Sequence, residues 1–276
     1  MGRVTRRRPV LRLEGDDATT RPDTLVVEEP LEVRVGGVAV SVTMRTPGDD
    51  FDLVAGFLVT EGVITDGGQL ATMRYCAGAT VDGVNSYNVI DAAVVDGAAP
   101  LDLSVQRNFY TTSSCGVCGK ASIDAIRTRT SWPVADDPVR LRPEMLARLP
   151  DGLRAAQRVF DRTGGLHAAG LFTADGELLC LREDVGRHNA VDKVVGWATR
   201  EGRLPLSGTV LLVSGRASFE LAQKALMAGV PVLVAVSAPS SLAVELAEEA
   251  GMTLVGFLRG TSMNVYAGAH RVTVPR

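Results

Sequence analysis

The sequence predicts an α/β fold, α+β overall, with a small N-terminal α+β domain followed by a C-terminal three-layer α/β domain. Two patterns indicate this fold class. Apolar residues alternate between Thr24 and Met44, as in a half-buried antiparallel sheet. After about residue 143, continuously apolar strands alternate with helical segments, which is typical of a partly parallel sheet covered on both faces. We expect a basic flexible tail at residues 1–23 and the N-terminal domain at 24–106. A loop with two cysteines, a helix and a linker follow at 107–142, and the C-terminal domain occupies 143–276.

The N-terminal domain begins with a predicted β-hairpin that turns at Gly36-Gly37. Asp49 to Gly62 has helical spacing, and Gly62 lies just beyond the predicted helix. Three further segments are predicted as strands: Met73 to Cys76, Asn85 to Ile90 and Leu101 to Val105.

The C-terminal domain follows a predicted flexible crossing from Ser131 to Pro143 and a helix of about Pro143 to Asp161. The predicted strands are Ala168 to Phe172, Leu178 to Arg182, Thr209 to Val213, Val230 to Val236 and Thr253 to Phe257. The predicted helices between them are His188 to Arg200, Ala217 to Ala228 and Ser240 to Gly251.

Composition excludes several classes of protein. The chain has 276 residues, of which 46% are hydrophobic and 22% charged, so it is neither disordered nor fibrous. Its apolar runs are shorter than the roughly 20 residues of a membrane helix. The net charge of −3 gives no general attraction to nucleic acid or to acidic membranes, and we expect neither as a partner.

The first residues form a basic segment that includes Arg6, Arg7 and Arg8, and we expect a flexible, solvated tail there. The segment lacks the apolar core of a secretory signal. The four cysteines are unequally spaced, which disfavours a secreted disulfide scaffold. These features predict a cytoplasmic protein with reduced thiols.

The sharpest motif is Cys115-Gly116-Val117-Cys118, which lies in a loop rich in hydroxyl groups and glycine and precedes a helix-like segment from Ala121 to Arg129. Two thiols at this spacing fit half of a zinc site, a dithiol redox pair or a nucleophilic thiolate with a helper cysteine. Zinc needs two more ligands, and the sequence has neither a second CxxC nor a paired histidine motif, so we predict no metal. The following helix start and Lys120 favour the thiolate.

A second candidate site lies where strands of the C-terminal domain end. Three turns follow predicted strands: Ser214-Gly215-Arg216, Ser237-Ala238-Pro239-Ser240 and Arg259-Gly260-Thr261-Ser262. Ligands of open α/β sheets bind at the carboxyl ends of strands, and helix N-termini there accept anions. Arg216 and Arg259 could add bidentate phosphate contacts, so the pattern predicts a nucleotide or pyrophosphate site.

Neither a G-x-G-x-x-G nor a P-loop motif occurs, which disfavours a standard dinucleotide dehydrogenase and a P-loop hydrolase. The segment from Arg182 to Lys193 is rich in ionisable residues. Within it, His188 is a candidate acid, base or nucleotide contact, and His167 is a weaker candidate. The sequence leaves open whether Asp184, Arg187 and His188 bind a ligand or only hold the fold.

These motifs together resemble the formate dehydrogenase accessory sulfurtransferases, the FdhD family. The resemblance covers nearly the whole chain after about Thr24 and rests on an ordered set of segments. They are Glu28-Glu29-Pro30-Leu31, Asp49 to Gly62, Cys115 to Lys120, Thr163 to His167, Asp184 to Lys193, Ser214-Gly215-Arg216 and Gly256 to Gly260.

The resemblance implies a cytoplasmic, homodimeric sulfur carrier that accepts persulfide sulfur from a cysteine desulfurase. It would pass the sulfur to the molybdenum cofactor, as bis-molybdopterin guanine dinucleotide, before its insertion into formate dehydrogenase; a GDP-like nucleotide would mimic that cofactor. Cys115 would bear the persulfide and Cys118 would assist. The implied cofactor-binding residues are Phe257, Leu258, Arg259, Gly260, Thr261 and Ser262, to which we add Ser214, Gly215, Arg216 and His188 from the strand-end analysis.

The resemblance also implies a cytidine-deaminase-like fold for the C-terminal domain. The deaminase chemistry itself is not expected, because no H-x-E occurs and Ser114, not proline, precedes Cys115. Two alternatives stay open from the residues: a non-catalytic molybdenum-cofactor chaperone and a CxxC thiol-disulfide oxidoreductase.

Overall fold

The structure, a computed structural model, describes residues 4–76, 80–81, 84–85, 87–95 and 130–273. The predicted strand at Leu101 to Val105, the CxxC motif and the helix-like segment after it lie outside the described residues. The described part is a mixed α+β fold, which confirms the predicted class.

The N-terminal elements come first along the chain. The strands are β1 (Thr5–Glu14), β2 (Asp17–Val26), β3 (Glu29–Val35), β4 (Val38–Arg45), β5 (Leu70–Tyr75), β6 (Thr80–Val81), β7 (Val84–Asn85) and β8 (Val89–Val94). Helix α1 (Asp50–Thr60) lies between β4 and β5, and a 3₁₀ turn (Gly67–Gln69) precedes β5.

The C-terminal elements follow residue 142. The helices are α2 (Pro143–Ala156), α3 (Phe160–Thr163), α4 (Arg187–Arg200), α5 (Phe219–Met227) and α6 (Ser241–Glu249). The strands are β9 (His167–Thr173), β10 (Leu178–Asp184), β11 (Thr209–Val213), β12 (Val232–Ala235), β13 (Thr253–Arg259) and β14 (Ser262–Ala267), before a final 3₁₀ turn (Ala269–Arg271).

The C-terminal strands form one six-stranded sheet in the order β10-β9-β11-β12-β13-β14. The strands β11, β12 and β13 are parallel neighbours, whereas β9 is antiparallel to both β10 and β11. Edge strand β14 pairs antiparallel with β13. This strand was not predicted from the sequence, because its short alternating pattern begins immediately after the turn that follows Arg259.

Helices cover both faces of this sheet, as the three-layer prediction requires. Val210 and Leu212 of β11 belong to the apolar cluster that packs under α2. Leu211 and Val213 point the other way, into the larger cluster shared with α4, α5 and α6. Burial on both faces explains the uninterrupted apolar sequence of β11.

The N-terminal unit is a four-stranded sheet in the order β4-β3-β8-β5 together with α1, and the hairpin of β3 and β4 confirms the predicted turn. Helix α1 packs on α4 with direct backbone contact. A Cβ atom at Gly56 would lie 1.8 Å from the carbonyl oxygen of Asp192. The larger apolar cluster therefore runs continuously from this unit into the C-terminal sheet.

The flexible tail predicted for residues 1–23 is wrong for residues 5–23, because residues 5–26 form a two-stranded antiparallel ribbon of β1 and β2. Ten consecutive residue pairs join the strands, from Thr5–Val26 to Glu14–Asp17. The basic residues that indicated a solvated tail are compatible with this ribbon because nearly all of its side chains are exposed.

The linker from Ser131 to Pro143 was predicted to be flexible, but hydrogen bonds fix it to the C-terminal domain. The fully buried Arg271 guanidinium donates hydrogen bonds to the carbonyl oxygens of Val134 (2.5 Å), Ala135 (2.7 Å) and Gly251 (2.7 Å). Burial lowers the pKa of Arg271, and Asp137 acts in the opposite direction. The domain limits and the likeness to cytidine deaminases stay predictions.

None of the helices in the described part of the chain combines the length and hydropathy needed for a membrane span.

Candidate functional site

The candidate site is one edge of the six-stranded sheet. The parallel strands β11, β12 and β13 all end at this edge, and β10 ends there too, because it runs antiparallel to β9 as β11 does. Strand β9 begins at the same edge with His167. The topology thus brings together the turns that the sequence singled out.

Two cationic side chains mark this edge. Arg216 is the third residue after β11, and Arg259 lies at the end of β13, where it pairs with Ser262 across the hairpin. Both arginines are exposed and form no ion pair within the described residues. Gly260, Thr261 and Ser262 complete the exposed hairpin tip.

Phe257 has an unusual backbone for an aromatic residue. Its φ angle is 53°, in the left-handed region that favours glycine, and its N–H donates to the Ser237 carbonyl oxygen at 3.1 Å. The residue remains 39% exposed. Such strain persists only where the surroundings enforce it, and it is concentrated at functional sites.

Leu258 differs from its predicted role. Its side chain is fully buried in the cluster under α2, so it supports the strand rather than facing a ligand.

In the turn after β11, the Ser214 hydroxyl already has a partner, because it accepts a hydrogen bond from the Ala168 N–H at 2.9 Å. At Gly215 a Cβ atom would lie 3.5 Å from Nδ1 of His167, which places this turn beside the start of β9.

The start of α5 supplies further polar groups. Ser218 is its N-cap residue, and the Ser218 Oγ atom is buried without a hydrogen-bond partner in the described part of the protein. Glu220 lies in the first turn of α5, and its Oε2 atom is 2.6 Å from Nε2 of His188. His188 lowers the pKa of the Glu220 carboxyl. Sequence reasoning missed Glu220, since only the tertiary fold brings α4 and α5 together.

His167 is half-buried at the same edge. Burial lowers the pKa of its imidazole, and the nearby Arg187 and His188 lower it further, while Asp184 acts in the opposite direction. This environment favours the neutral imidazole, which offers one donor and one acceptor nitrogen.

Asp184 is structural. Its fully buried carboxylate accepts hydrogen bonds from the N–H groups of Thr46 (3.1 Å) and Gly186 (2.8 Å) and from the Asn189 amide (3.0 Å). The Lys193 ammonium lies 2.8 Å from the same carboxylate. This network joins the end of β4 to the start of α4. The sequence left open whether Asp184 binds a ligand or holds the fold, and these contacts show that it holds the fold.

The two remaining cysteines have no visible catalytic setting. Burial raises the pKa of Cys180 to about 12, so this thiol is protonated, and Cys76 is partly exposed beyond β5. Among the described residues, no three His, Cys, Asp or Glu side chains are grouped to hold a metal ion. The predicted catalytic residues Cys115 and Cys118 lie outside the described residues.

Sequence comparison decides the family of this chain. A family model described as FdhD/NarQ matches residues 26–273. The chain belongs to the FdhD/NarQ family. This confirms the resemblance that the motifs indicated.

Relatives of this FdhD/NarQ chain align along almost their whole length. The protein named "Sulfur carrier protein FdhD" from Streptomyces avermitilis is 68% identical over 275 residues, covering 99% of this chain and 98% of its own. The protein of that name from Mycobacterium tuberculosis is 58% identical over 277 residues, covering 99% and 100%.

A solved structure has the same fold. The crystal structure of a Desulfotalea psychrophila protein assigned as a formate dehydrogenase accessory protein superposes with a TM-score of 0.76 at 20% identity. The match covers 98% of this chain and 100% of that one. At this identity the likeness establishes the fold only.

Proposed function

We propose that this FdhD/NarQ chain is a sulfur carrier and sulfurtransferase for formate dehydrogenase maturation. The observation that carries the proposal is the 68% identity, across 99% of the chain, to a protein named as a sulfur carrier. The proposal assigns the persulfide to Cys115 and makes the molybdenum cofactor, as bis-molybdopterin guanine dinucleotide, the recipient of the sulfur.

The loading step needs only thiol chemistry. The Cys115 thiolate attacks the terminal sulfur of a persulfide on a cysteine desulfurase, so that a new S–S bond forms on Cys115. The S–S bond of the donor breaks at the same time, and the desulfurase thiolate leaves. No electrons are gained or lost overall, and the carrier then holds a Cys115 persulfide.

Cys118 gives the sulfur a route of release. When the Cys118 thiolate attacks the inner sulfur of the persulfide, a Cys115–Cys118 disulfide forms and sulfide leaves toward the cofactor. The two thiols supply both electrons, and a cellular reductant must then restore them. An external thiol can replace Cys118, so we propose that its loss slows transfer without abolishing it.

The sheet edge suits the nucleotide part of such a cofactor. The guanidinium groups of Arg216 and Arg259 form no ion pair with a described residue and can bind phosphate oxygens bidentately, and the N-terminus of α5 adds a positive dipole end. The exposed ring of Phe257 offers a surface on which a base could stack. GDP is therefore a suitable probe of this edge.

Calorimetric titration with GDP tests this edge. Replacing Arg216 or Arg259 by alanine should weaken GDP binding about tenfold, since each removes a charge-assisted hydrogen bond. Arg148→Ala, an exposed arginine on α2, is the matched control. Equal affinities in all four proteins would remove both arginines from the site.

We further propose a cysteine desulfurase and formate dehydrogenase as partners, a homodimer as the working state, and the cytoplasm as the location. The loading step needs Cys115 as a free thiol, and a reducing compartment keeps protein thiols in that state.

The decisive experiment measures the intact mass of the reduced protein after incubation with an active cysteine desulfurase and L-cysteine. The expected result is one added sulfur that dithiothreitol removes and that is lost in Cys115→Ala, while Cys118→Ala still loads. Loading that persists in Cys115→Ala would refute the assignment. Absence of loading in the unchanged protein would favour a cofactor chaperone, and rapid formation of an internal disulfide would favour an oxidoreductase.

A further inference from the structure

A cleft of about 520 Å³ lies at the base of the N-terminal ribbon, and none of its lining residues belongs to the turns of the candidate site. Its lining residues come from the ribbon, from the start of β3 and from α3: Thr5, Arg6, Arg7, Thr24, Glu29 and Arg162. The cleft is thus formed between an exposed hairpin and the body of the protein.

The register of the ribbon directs specific side chains to this cleft. Side chains alternate between the two faces of a strand, so Thr5 and Arg7 share one face with their cross-strand neighbours Val26 and Thr24. The Thr5 hydroxyl accepts a hydrogen bond from Arg162 at 3.4 Å, which shows that this face is turned toward α3.

The charges of the cleft are unbalanced. Arg6, Arg7 and Arg162 form no ion pair within the described residues. The carboxylate of Glu29 is already shared with the buried Arg45, whose Nη1 lies 3.4 Å from it. The cleft face therefore carries the guanidinium groups of Arg7 and Arg162, neither of which has a carboxylate partner among the described residues, and the hydroxyl groups of Thr5 and Thr24. Arg6 also borders the cleft, but strand alternation turns its side chain away from the Arg7 face.

This set of donors has a definite chemical preference. A guanidinium group presents a planar fork of N–H donors that matches the oxygens of a phosphate, and hydroxyl groups add neutral donors. We propose that the cleft is an anion site that binds a phosphate or diphosphate group, either free or carried by a nucleotide.

The cleft lies close to the sheet edge but is distinct from it. Arg162 precedes His167 by five residues, so the chain between them spans at most about 18 Å. Packing also links the two places, because a Cβ atom at Gly165 would lie 3.4 Å from Cγ1 of Val26 at the ribbon base. A nucleotide with several phosphates could therefore reach both sites.

Calorimetric titration of the full chain with inorganic pyrophosphate at low ionic strength tests the proposal. The double variant Arg7→Gln, Arg162→Gln should bind pyrophosphate about tenfold more weakly, since it removes charge-assisted hydrogen bonds. Its matched control is Arg8→Gln, Arg21→Gln, which removes the same charge from the opposite face of the ribbon, since Arg21 pairs with Val10. All of these side chains are exposed, so the variants should fold normally.

Hydrogen exchange locates the bound anion independently. Pyrophosphate should slow amide exchange in residues 5–8 and 22–26 of the unchanged protein, but not in the Arg7, Arg162 variant. Equal pyrophosphate affinity in that variant and its control, or an affinity lost only when Arg216 and Arg259 are replaced, would overturn the proposal. Absence of binding by the unchanged protein would overturn it too.

GDP distinguishes the two sources of the phosphate. If the double variant loses pyrophosphate affinity but keeps GDP affinity, the cleft is a site for free anions; loss of both assigns it to the phosphates of a nucleotide. Either result supports an anion site. None of these measurements involves Cys115, so failure here leaves the sulfur-transfer proposal standing, and the reverse also holds.

Discussion

At the scale of single residues, Asp184 carries the largest expected effect. Replacing it by Asn should lower the free energy of unfolding by about 3–5 kcal/mol, because the buried Lys193 ammonium would lose its counter-charge. Urea denaturation measures the change. Asp175→Asn, at an exposed turn position, is the control and should change little; a similarly small loss at Asp184 would contradict a structural role.

His167 gives the protein a predictable response to pH. Burial, together with Arg187 and His188, lowers the pKa of His167 below 6.5, so the unfolded chain binds a proton more readily than the folded one. The contribution of His167 to the free energy of unfolding should therefore fall as the pH drops below about 6.5. An NMR titration, with His167→Asn to assign the signal, should place the midpoint below 6.5, and a midpoint above it would refute the prediction.

At the scale of secondary-structure elements, the contact of α1 with α4 depends on two glycines. A Cβ atom at Gly196 would lie 1.7 Å from the Asp52 carbonyl oxygen, and main-chain atoms cannot rotate out of the way. Gly196→Ala should therefore destabilise the protein by about 3 kcal/mol, the upper part of the range for overpacking.

The control for this helix contact is Gly152→Ala in α2. There a Cβ atom would meet only the Phe172 ring, at an ordinary 3.5 Å, so the greater helix propensity of alanine should stabilise the protein by about 0.5–1 kcal/mol. Thermal or urea denaturation of both variants measures the contrast. Equal effects of the same sign would show that the helices do not approach as closely as described.

At the scale of the whole molecule, stability is unevenly distributed. The ribbon has no core of its own: Leu11 and Leu13 are 65% and 69% exposed, whereas Leu211 and Leu212 in the central sheet are fully buried. Isolated two-stranded hairpins are marginally stable in water. Amides of β1 and β2 should therefore exchange with deuterium far faster than those of β11, and equal protection would mean that the ribbon is covered in solution.

Much of the fold was predictable from the sequence, for reasons that particular elements show. The apolar run from Thr209 to Val213 had to be a strand buried on both faces, and Gly62, with φ of 73°, ends α1 as its position indicated. The ribbon was not predictable, since its exposed strands carry no buried face. The hydrogen bonds from Arg271 to the linker carbonyl groups of Val134 and Ala135 were not predictable either, because a buried arginine in a C-terminal segment leaves no local sequence pattern.

Part of the candidate site was also predictable from the sequence, and part was not. The strand-end turns with Arg216 and Arg259 were predictable, because parallel strands end at a common edge. The Glu220–His188 pair and the strained backbone of Phe257 were not, since each depends on contacts between distant segments.

The sequence by itself determined the alternating apolar patterns, the turn residues and the ordered motifs of the FdhD/NarQ family, because these are local features of the chain. Only the tertiary structure decided which charged groups are buried together and which remain free. Asp184 and Lys193 neutralise each other where the C-terminal unit meets the end of β4, whereas Arg7 and Arg162 line a common cleft and form no ion pair with any described residue. Whether a charged residue supports the fold or binds a ligand depends on its neighbours in space, which residue type and spacing do not encode.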